Sequence, residues 1–179
     1  DVTTFAAQAT TAGEFVNFQD ADAFDVGLVG ASGVITAITG IQANTADGVV
    51  RLQAAGNITQ TEAITSSALG ARSTGGSINL SLATNDVNTF AAQATTAAQS
   101  VNYQDATTFD VGQVTAGGPF AAALNGITVN STAGQGTVRL QAVTQDITQT
   151  QRIAGDALGA VSLTGNVNLS LATNDVNTF

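Results

Sequence analysis

The amino-acid sequence predicts an all-β protein, a solenoid in which short strands stack in parallel coils. Three observations lead to this prediction: one segment repeats in tandem, apolar and polar residues alternate inside it, and turn-forming residues are abundant while aromatic residues are scarce. Of the 179 residues, 44% are hydrophobic and only 9% are charged. The chain can therefore bury a substantial core, and it does not combine the low hydrophobicity and high charge of a disordered chain.

The repeat begins with the residues Asp-Val-x-Thr-Phe. Residues 1–12 return almost unchanged at the start of the second copy, and a third copy opens near the end of the sequence. The chain therefore divides into a first repeat, residues 1–85, a second repeat, residues 86–174, and the start of a third, residues 175–179. Because no linker separates the copies, we predict one continuous solenoid.

Each repeat contains one segment of variable length between constant ones. Gly30 to Asp47 in the first repeat corresponds to the longer stretch from Thr115 to Gln135 in the second, which holds the only proline, Pro119. A variable segment between constant ones is typical of an insertion on a surface loop. We therefore expect both segments to leave the regular coils.

Apolar and polar residues alternate in the constant segments, as in Val50–Ala54 and Ile78–Leu82. A period of two places successive side chains on opposite faces of a strand. Val, Ile, Leu and Phe are therefore predicted in the interior, and Asn, Ser, Gln, Asp and Arg in solvent. Two alanine-rich pieces, Phe5–Ala12 and Phe120–Leu124, could form a short helix, but neither has a period of 3.6, so we expect none there.

Two all-β architectures fit strands of this length. Tandem immunoglobulin-like sandwiches would place one repeat in each domain, whereas a parallel solenoid would wind each repeat into about four coils of roughly 21 residues. The solenoid is favoured because its narrow interior needs few aromatic residues, and only 5% of this chain is aromatic, with no tryptophan. The 19 glycines, together with many Asn, Thr and Ser residues, also suit tight corners.

Charge and composition exclude several classes of function. The net charge is −9 and only four residues are basic. We predict no nucleic-acid partner, because binding phosphates requires clustered Lys and Arg. No apolar stretch approaches the ~18 residues of a membrane-spanning helix, so membrane insertion is not expected. The absence of Cys and His excludes thiol catalysis and metal sites built on those residues.

The repeat carries motifs that resemble a known family. Gly56–Thr61 reads Gly-Asn-Ile-Thr-Gln-Thr, both repeats contain Ala-Leu-Gly-Ala, and the repeats then continue into Asn-Leu-Ser-Leu and Asn-Asp-Val-Asn-Thr-Phe. This pattern resembles the repeat region of filamentous-haemagglutinin-like exoproteins, which are very large secreted or surface-anchored bacterial adhesins. The resemblance covers essentially the whole chain. It implies a right-handed parallel β-helix located outside the cell or on the bacterial surface, and it brings no functional residue with it.

Acidic residues are the only candidates for catalysis or metal binding. Asp20, Asp22 and Asp25 lie close together. Asp105 and Asp110 are the equivalents of Asp20 and Asp25 in the second repeat, where Thr107 replaces Asp22. A glycosidase needs two carboxylates that act as acid and base, and the glycine-rich pattern of calcium-binding β-rolls is absent. We interpret Asp20 and Asp105 as turn caps, and we assign no catalytic, cofactor-binding or metal-binding residue.

These observations predict a structural, non-enzymatic rod segment of a bacterial cell-surface adhesin or extracellular fibre. The expected partner is the chain itself, as neighbouring repeats or as end-to-end copies, because the open ends of a solenoid carry unpaired strand edges. Host or cell-surface glycans or proteins are further expected partners, and no cofactor is expected. The alternative is a carbohydrate-binding or carbohydrate-cleaving β-helix, which would need an exposed aromatic platform or an acidic groove. No leader follows Asp1, so a secretion signal is expected outside this sequence.

Overall fold

The computed structural model describes residues 1–130 and 136–179 of the chain. Strands, turns and bends make up this part of the chain, and none of its residues is in a helix. The strands, numbered in chain order, are Thr4–Phe5 (β1), Ala7–Ala9 (β2), Phe15–Asp20 (β3), Phe24–Val26 (β4), Leu28–Val29 (β5), Ile38–Thr39 (β6), Ile41–Ala43 (β7), Val49–Ala54 (β8), Ile58–Gln60 (β9), Ile64–Ser73 (β10), Ile78–Leu80 (β11), Asp86–Ala94 (β12), Ser100–Asp105 (β13), Phe109–Val111 (β14), Gln113–Val114 (β15), Leu124–Asn125 (β16), Ile127–Val129 (β17), Thr137–Ala142 (β18), Ile147–Gln149 (β19), Ile153–Ser162 (β20) and Asp175–Thr178 (β21).

Seventeen of these strands belong to one sheet, and its strand pairs are parallel. Each strand pairs with one that follows about one coil later in the sequence: β8 pairs with β10, β10 with β12, and β11 with β13. This confirms the all-β prediction, and the parallel pairing is that of a solenoid-like fold. It differs from the antiparallel pairing of a tandem sandwich.

Backbone pairing continues across the boundaries between the repeats. At the first boundary Thr65 of β10 lies opposite Asp86 of β12. At the second boundary Ala154 of β20 lies opposite Asp175 of β21. Strands of adjacent repeats therefore belong to the same hydrogen-bonded ladder, and no linker interrupts it.

The interior is built from the predicted apolar residues. Val50, Leu52, Ile78 and Leu80 have no exposed surface. The few aromatic rings concentrate at two equivalent places: Phe5, Phe18 and Phe24 pack together in the first repeat, and Phe90, Tyr103 and Phe109 in the second. The alanine-rich pieces form strand and loop, as expected, with Ala7–Ala9 paired to β7.

Both variable segments leave the coils in part, as antiparallel hairpins. Their later residues do not, because Ile41–Ala43 and Ile127–Val129 pair in the parallel sheet, so the predicted bounds of the excursions were wrong there. The first hairpin, residues 27–40, contains β5 and β6, and the second hairpin, residues 112–126, contains β15 and β16. At the base of each, one glycine donates its backbone N–H to another, from Gly40 to Gly27 at 2.9 Å and from Gly126 to Gly112 at 2.8 Å. Residues 131–135, which end the second variable segment, lie outside the described residues.

Only glycine fits the two positions where the hairpins rejoin the coils. Gly40 and Gly126 have φ angles of 64° and 68°, in the left-handed region that other residues avoid. A Cβ atom at Gly40 would lie 2.1 Å from the carbonyl oxygen of Ala63, and one at Gly126 would lie 2.0 Å from that of Arg152. The close approach of the next coil therefore imposes glycine in both repeats.

Candidate functional site

The second hairpin packs onto the outer face of β3, β8, β10 and β12, which we call the first groove. Three apolar side chains of the hairpin are buried there: Val114 and Phe120 are each 1% exposed and Leu124 is 4% exposed. Together with Ala91 of β12 they form a second, smaller hydrophobic cluster outside the main core. The hairpin therefore packs tightly onto the coils that precede it in the sequence.

Gly70 of β10 forms the floor of the first groove. A Cβ atom at Gly70 would lie 2.5 Å from Cε2 of Phe120 and 3.1 Å from Cγ1 of Val114. The missing side chain thus lets the phenyl ring reach the backbone of the sheet. Beside it, the guanidinium carbon of Arg72 lies 5.4 Å from the centre of the Phe120 ring, within the range of a cation–π contact.

Arg51 of β8 joins the hairpin to the groove through hydrogen bonds. Its Nε donates to the carbonyl oxygen of Thr115 at 2.8 Å, its Nη2 to the hydroxyl of Thr115 at 2.7 Å, and its Nη1 to Oδ1 of Asn17 at 3.3 Å. The alternating pattern predicts Arg51 in solvent, and this is wrong, because the hairpin leaves it only 6% exposed. Burial lowers the pKa of Arg51 below its ordinary value.

A second groove on the outer face of β13, β18, β20 and β21 repeats the design of the first. Arg139 lies opposite Gly159 and Asn102 in the ladder, as Arg51 lies opposite Gly70 and Asn17. The equivalent positions of the first and second groove are Asn17 and Asn102, Val49 and Thr137, Arg51 and Arg139, Ala68 and Ala157, Gly70 and Gly159, and Arg72 and Val161.

The second groove is open, unlike the first. Its volume is about 610 Å³, and a Cβ atom at Gly159 would meet no other atom within 4 Å. Arg139 is exposed and donates from Nη1 to Asn102 and Thr137. Val161, at the rim, is 51% exposed. Arg139, Asn102 and Gly159 thus repeat the arrangement of Arg51, Asn17 and Gly70, whereas Thr137 and Val161 replace Val49 and Arg72.

The first hairpin is the counterpart of the second in sequence and shape. Ser32 and Ile35 form the same antiparallel bridge at its tip as Gly117 and Phe120 form in the second hairpin. Three of its apolar side chains are exposed: Leu28 is 55% exposed, Val34 101% and Ile35 43%. The segment from Gly27 to Gly40 contains no charged residue.

The acidic residues at the turns have structural partners. Oδ1 of Asp20 accepts the N–H of Asp22 at 2.8 Å, and Oδ1 of Asp105 accepts that of Thr107 at 2.9 Å, which confirms their interpretation as turn caps. The hydrogen bond from Asp22 holds the pKa of Asp20 below its ordinary value. Burial instead raises the pKa of Asp105, whose second oxygen accepts from the N–H of Val87 at 3.0 Å.

One group of carboxylates in the described chain is close enough to hold a cation: Asp1, Asp20 and Asp22, whose oxygens lie within 4.8 Å of one another. The arrangement is not repeated. In the second repeat the hydroxyl of Thr107 lies 3.3 Å from carboxylate oxygens of Asp86 and Asp105. In the second repeat a hydroxyl thus stands where a third carboxylate stands in the first.

Sequence reasoning missed the buried amide of Asn85. Asn85 has no exposed surface, and its Nδ2 donates to Oε1 of Gln60 at 2.9 Å, to the carbonyl of Leu80 at 3.2 Å and to that of Gln104 at 3.0 Å. Its Oδ1 accepts the N–H of Ile64 at 2.9 Å. The amide therefore links adjacent coils. Its return at the same place in the repeat, as Asn174, is the signal that could have revealed it.

Comparison with protein-family models, with curated proteins and with solved structures finds no match to this chain. The resemblance to filamentous-haemagglutinin-like repeats therefore stays a prediction. Within residues 1–130 and 136–179 there is no helix long and apolar enough to span a bilayer.

Proposed function

We propose that this chain is a structural, non-enzymatic rod segment of a bacterial cell-surface adhesin or extracellular fibre. The observation that carries the proposal is the unbroken parallel ladder that joins one repeat to the next, from β10 into β12 and from β20 into β21. Neighbouring repeats that share one ladder cannot rotate against each other without breaking backbone hydrogen bonds. Such a chain resists bending and pulling along its whole length.

The finer architecture belongs to the same proposal. A right-handed winding with about four coils in each repeat would place the two hairpins on the outside of a narrow rod. At about 4.8 Å per coil, roughly eight coils would give a rod of about 35–45 Å. The second hairpin would then act as a brace, because it fastens the second repeat onto the outer face of the first through Arg51 and Phe120.

The surface of the rod suits a structural part better than a catalytic one. Asp25 accepts the hydroxyls of Thr59 at 2.9 Å and Thr61 at 2.6 Å, and Asp110 accepts that of Thr148 at 3.0 Å in the second repeat. These carboxylates link neighbouring coils through hydrogen bonds. Carboxylates with such fixed partners support cohesion of the coils rather than proton transfer to a substrate.

Electron microscopy of the purified chain over a concentration series tests this proposal. We expect particles of constant width, as single rods or as longer filaments. Two beads joined by a flexible connection would contradict a rod. Incubation with a panel of polysaccharides is the second measurement, and we expect no cleavage. Cleavage that Asp22→Asn abolishes, but Asp47→Asn does not, would instead favour a carbohydrate-active β-helix.

A further inference from the structure

We propose that a cavity at the base of the second hairpin binds a small carboxylate ligand through Arg72. The cavity lies where the hairpin rejoins the coils at Gly126, and its volume is about 200 Å³. Arg72, Gln93, Asn125 and Thr128 supply its polar groups, and none of the described residues that line it is acidic. Binding of such a ligand goes beyond the rod function proposed above and does not depend on it.

The cavity is complete in the middle of the chain. Its lining residues come from β10, β12, β17 and the end of the second hairpin, all between Arg72 and Thr128. The next strands on both sides are present as well. Gln53 of β8 lies opposite Arg72, and Ala154 of β20 lies opposite Thr128. The site therefore lies between paired coils, away from both ends of the sequence.

Three successive strands place polar side chains in a row at this cavity. Arg72 lies opposite Gln93, and Gln93 lies opposite Thr128, so a guanidinium, an amide and a hydroxyl follow one another at intervals of about 4.8 Å. Among residues 1–130 and 136–179, none of these three side chains has a hydrogen-bond or ion-pair partner. The row therefore presents unpaired donors to a ligand.

The first repeat pairs the amide that is unpaired here. Gln8 and Gln42 are the equivalents of Gln93 and Thr128, and Nε2 of Gln8 donates to Oε1 of Gln42 at 3.4 Å. Thr128 is shorter and carries no amide, so the same bond is not made to Gln93. The substitution of threonine for glutamine thus opens the cavity and leaves the amide of Gln93 available.

The ring of Phe120 positions the guanidinium of Arg72. The guanidinium carbon lies 5.4 Å from the ring centre, and the ring itself is 1% exposed. Nε of Arg72 is buried, whereas its terminal nitrogens are accessible. A guanidinium held flat against a ring loses little freedom when it binds. Its parallel N–H groups match the two oxygens of a carboxylate.

Charge and size select a small monovalent anion. One guanidinium balances one negative charge, and the net charge of −9 opposes a dianion more strongly than a carboxylate. The cavity is smaller than the roughly 300–1,000 Å³ of pockets for drug-sized ligands. Beside the carboxylate, Gln93 and Thr128 would bind hydroxyl groups of the ligand. Asn125 would donate from Nδ2, since its Oδ1 already accepts from Gln113 at 2.5 Å.

Nuclear magnetic resonance tests the site, because the chain has only four arginines and their Nε–H resonances are easily resolved. The labelled chain is titrated with sodium acetate, sodium glucuronate or glucose at constant ionic strength. We expect both carboxylates to shift the resonances of Arg72 and of the Gly126 amide to saturation, and glucose to leave them unchanged. Tighter binding of glucuronate than of acetate would identify a hydroxylated acid as the ligand, and equal binding would identify the carboxylate alone.

Two variants remove the site in different ways. Arg72→Met keeps the apolar stem against Phe120 and should weaken acetate binding at least about tenfold, a loss of ~1.4 kcal/mol. Thr128→Gln introduces the residue that the first repeat has at this position, and it should weaken binding as well, because the new amide pairs with Gln93 and fills the cavity. The control, Arg139→Met, removes one positive charge at an exposed position outside the cavity and should bind acetate normally.

The outcomes separate a specific site from general attraction to positive charge. No saturable shift in the natural chain, equal affinity in Arg72→Met, or an equal loss in Arg139→Met would overturn the proposed site. If Arg72→Met does not fold, unchanged binding by Thr128→Gln would overturn it instead. Electron microscopy of the variants should show particles of the same width as the natural chain, so failure of the site and failure of the rod are distinguishable.

Discussion

Arg51 and Thr115 lie 64 residues apart in the sequence, yet Nε of Arg51 donates to the backbone oxygen of Thr115 at 2.8 Å. The bond joins a strand of the first repeat to a hairpin of the second. It is one of three hydrogen bonds from a guanidinium that the hairpin itself shields from water. The packing of the hairpin therefore buries Arg51, and the buried Arg51 in turn holds the hairpin through hydrogen bonds.

Arg51→Met keeps most of the apolar stem and removes all the donors. Hydrogen bonds to a charged group contribute about 1.5–3 kcal/mol each, so we expect the second hairpin to open more often by at least that free energy. Hydrogen exchange of the amides of Gly117 and Phe120, which bond to each other across the tip, measures the opening. Amides of the main core, such as that of Leu52, should keep their protection.

Arg139→Met is the control for this prediction. Arg139 holds the equivalent position in the second repeat, but its side chain is exposed. We expect its free energy of unfolding to change by less than ~0.5 kcal/mol. If the hairpin amides are equally protected from hydrogen exchange in Arg51→Met and in the natural chain, apolar contacts alone hold the second hairpin in place.

Much of the fold could be predicted because its signals are local and occur twice. The alternation in Val50–Ala54 and Ile78–Leu82 identifies the inward side chains whatever the neighbouring strands are. The unequal lengths of the variable segments identify the two excursions from the coils. Duplication strengthens each inference, since a pattern that appears in both repeats is not a chance run of residues.

The burial of Arg51 and the existence of the grooves could not be predicted in this way. They depend on contacts between segments 44–64 residues apart, such as Gly70 with Val114 and Arg51 with Thr115. One trace is visible in the sequence: Gly70 and Gly159 stand in the middle of strand segments, where glycine often marks the close approach of another group. A glycine within a strand does not identify the segment that packs against it.

Gly126→Ala tests the strain at the base of the second hairpin. The φ angle of 68° costs a residue with a side chain about 1–2 kcal/mol, and the added Cβ would meet the carbonyl oxygen of Arg152 at 2.0 Å. We expect the thermal midpoint to fall by several degrees. Gly159→Ala, where the added methyl meets no atom within 4 Å, should leave the midpoint unchanged. A similar midpoint for both variants would argue that the coils shift easily at this junction.

Asn85→Ala tests the amide that links adjacent coils. The substitution leaves the N–H of Ile64 and the carbonyl oxygens of Leu80 and Gln104 without their partner in a site with no exposed surface. Each buried group left unsatisfied costs about 1–3 kcal/mol, so we expect a loss of at least ~3 kcal/mol in urea unfolding. Asn174→Ala removes the equivalent amide at a half-buried position and should cost clearly less. Equal losses of unfolding free energy would mean that water does not bind the backbone groups that Asn174→Ala leaves unpaired.

The pH dependence of stability above neutrality depends on Tyr103, the only tyrosine of the chain. Tyr103 is 1% exposed and donates its hydroxyl to Oδ2 of Asp105 at 2.6 Å. Burial raises the pKa of Tyr103 well above its ordinary value, and the charge of Asp105 raises it further. The chain has no lysine, cysteine or histidine, so Tyr103 is the one side chain whose ordinary pKa lies between about 8 and 11.

The sign follows from proton linkage. Because the pKa of Tyr103 is higher in the folded chain than the value of about 10 in the unfolded chain, its contribution to stability is complete below that value and is lost as pH rises above it. We expect unfolding in alkali, with phenolate absorbance and loss of circular dichroism in the same transition. Tyr103→Phe should lose about 1 kcal/mol at neutral pH and then resist alkali, since Phe18 already fills the equivalent place in the first repeat. Phenolate that forms near pH 10 in a folded chain would contradict this assignment.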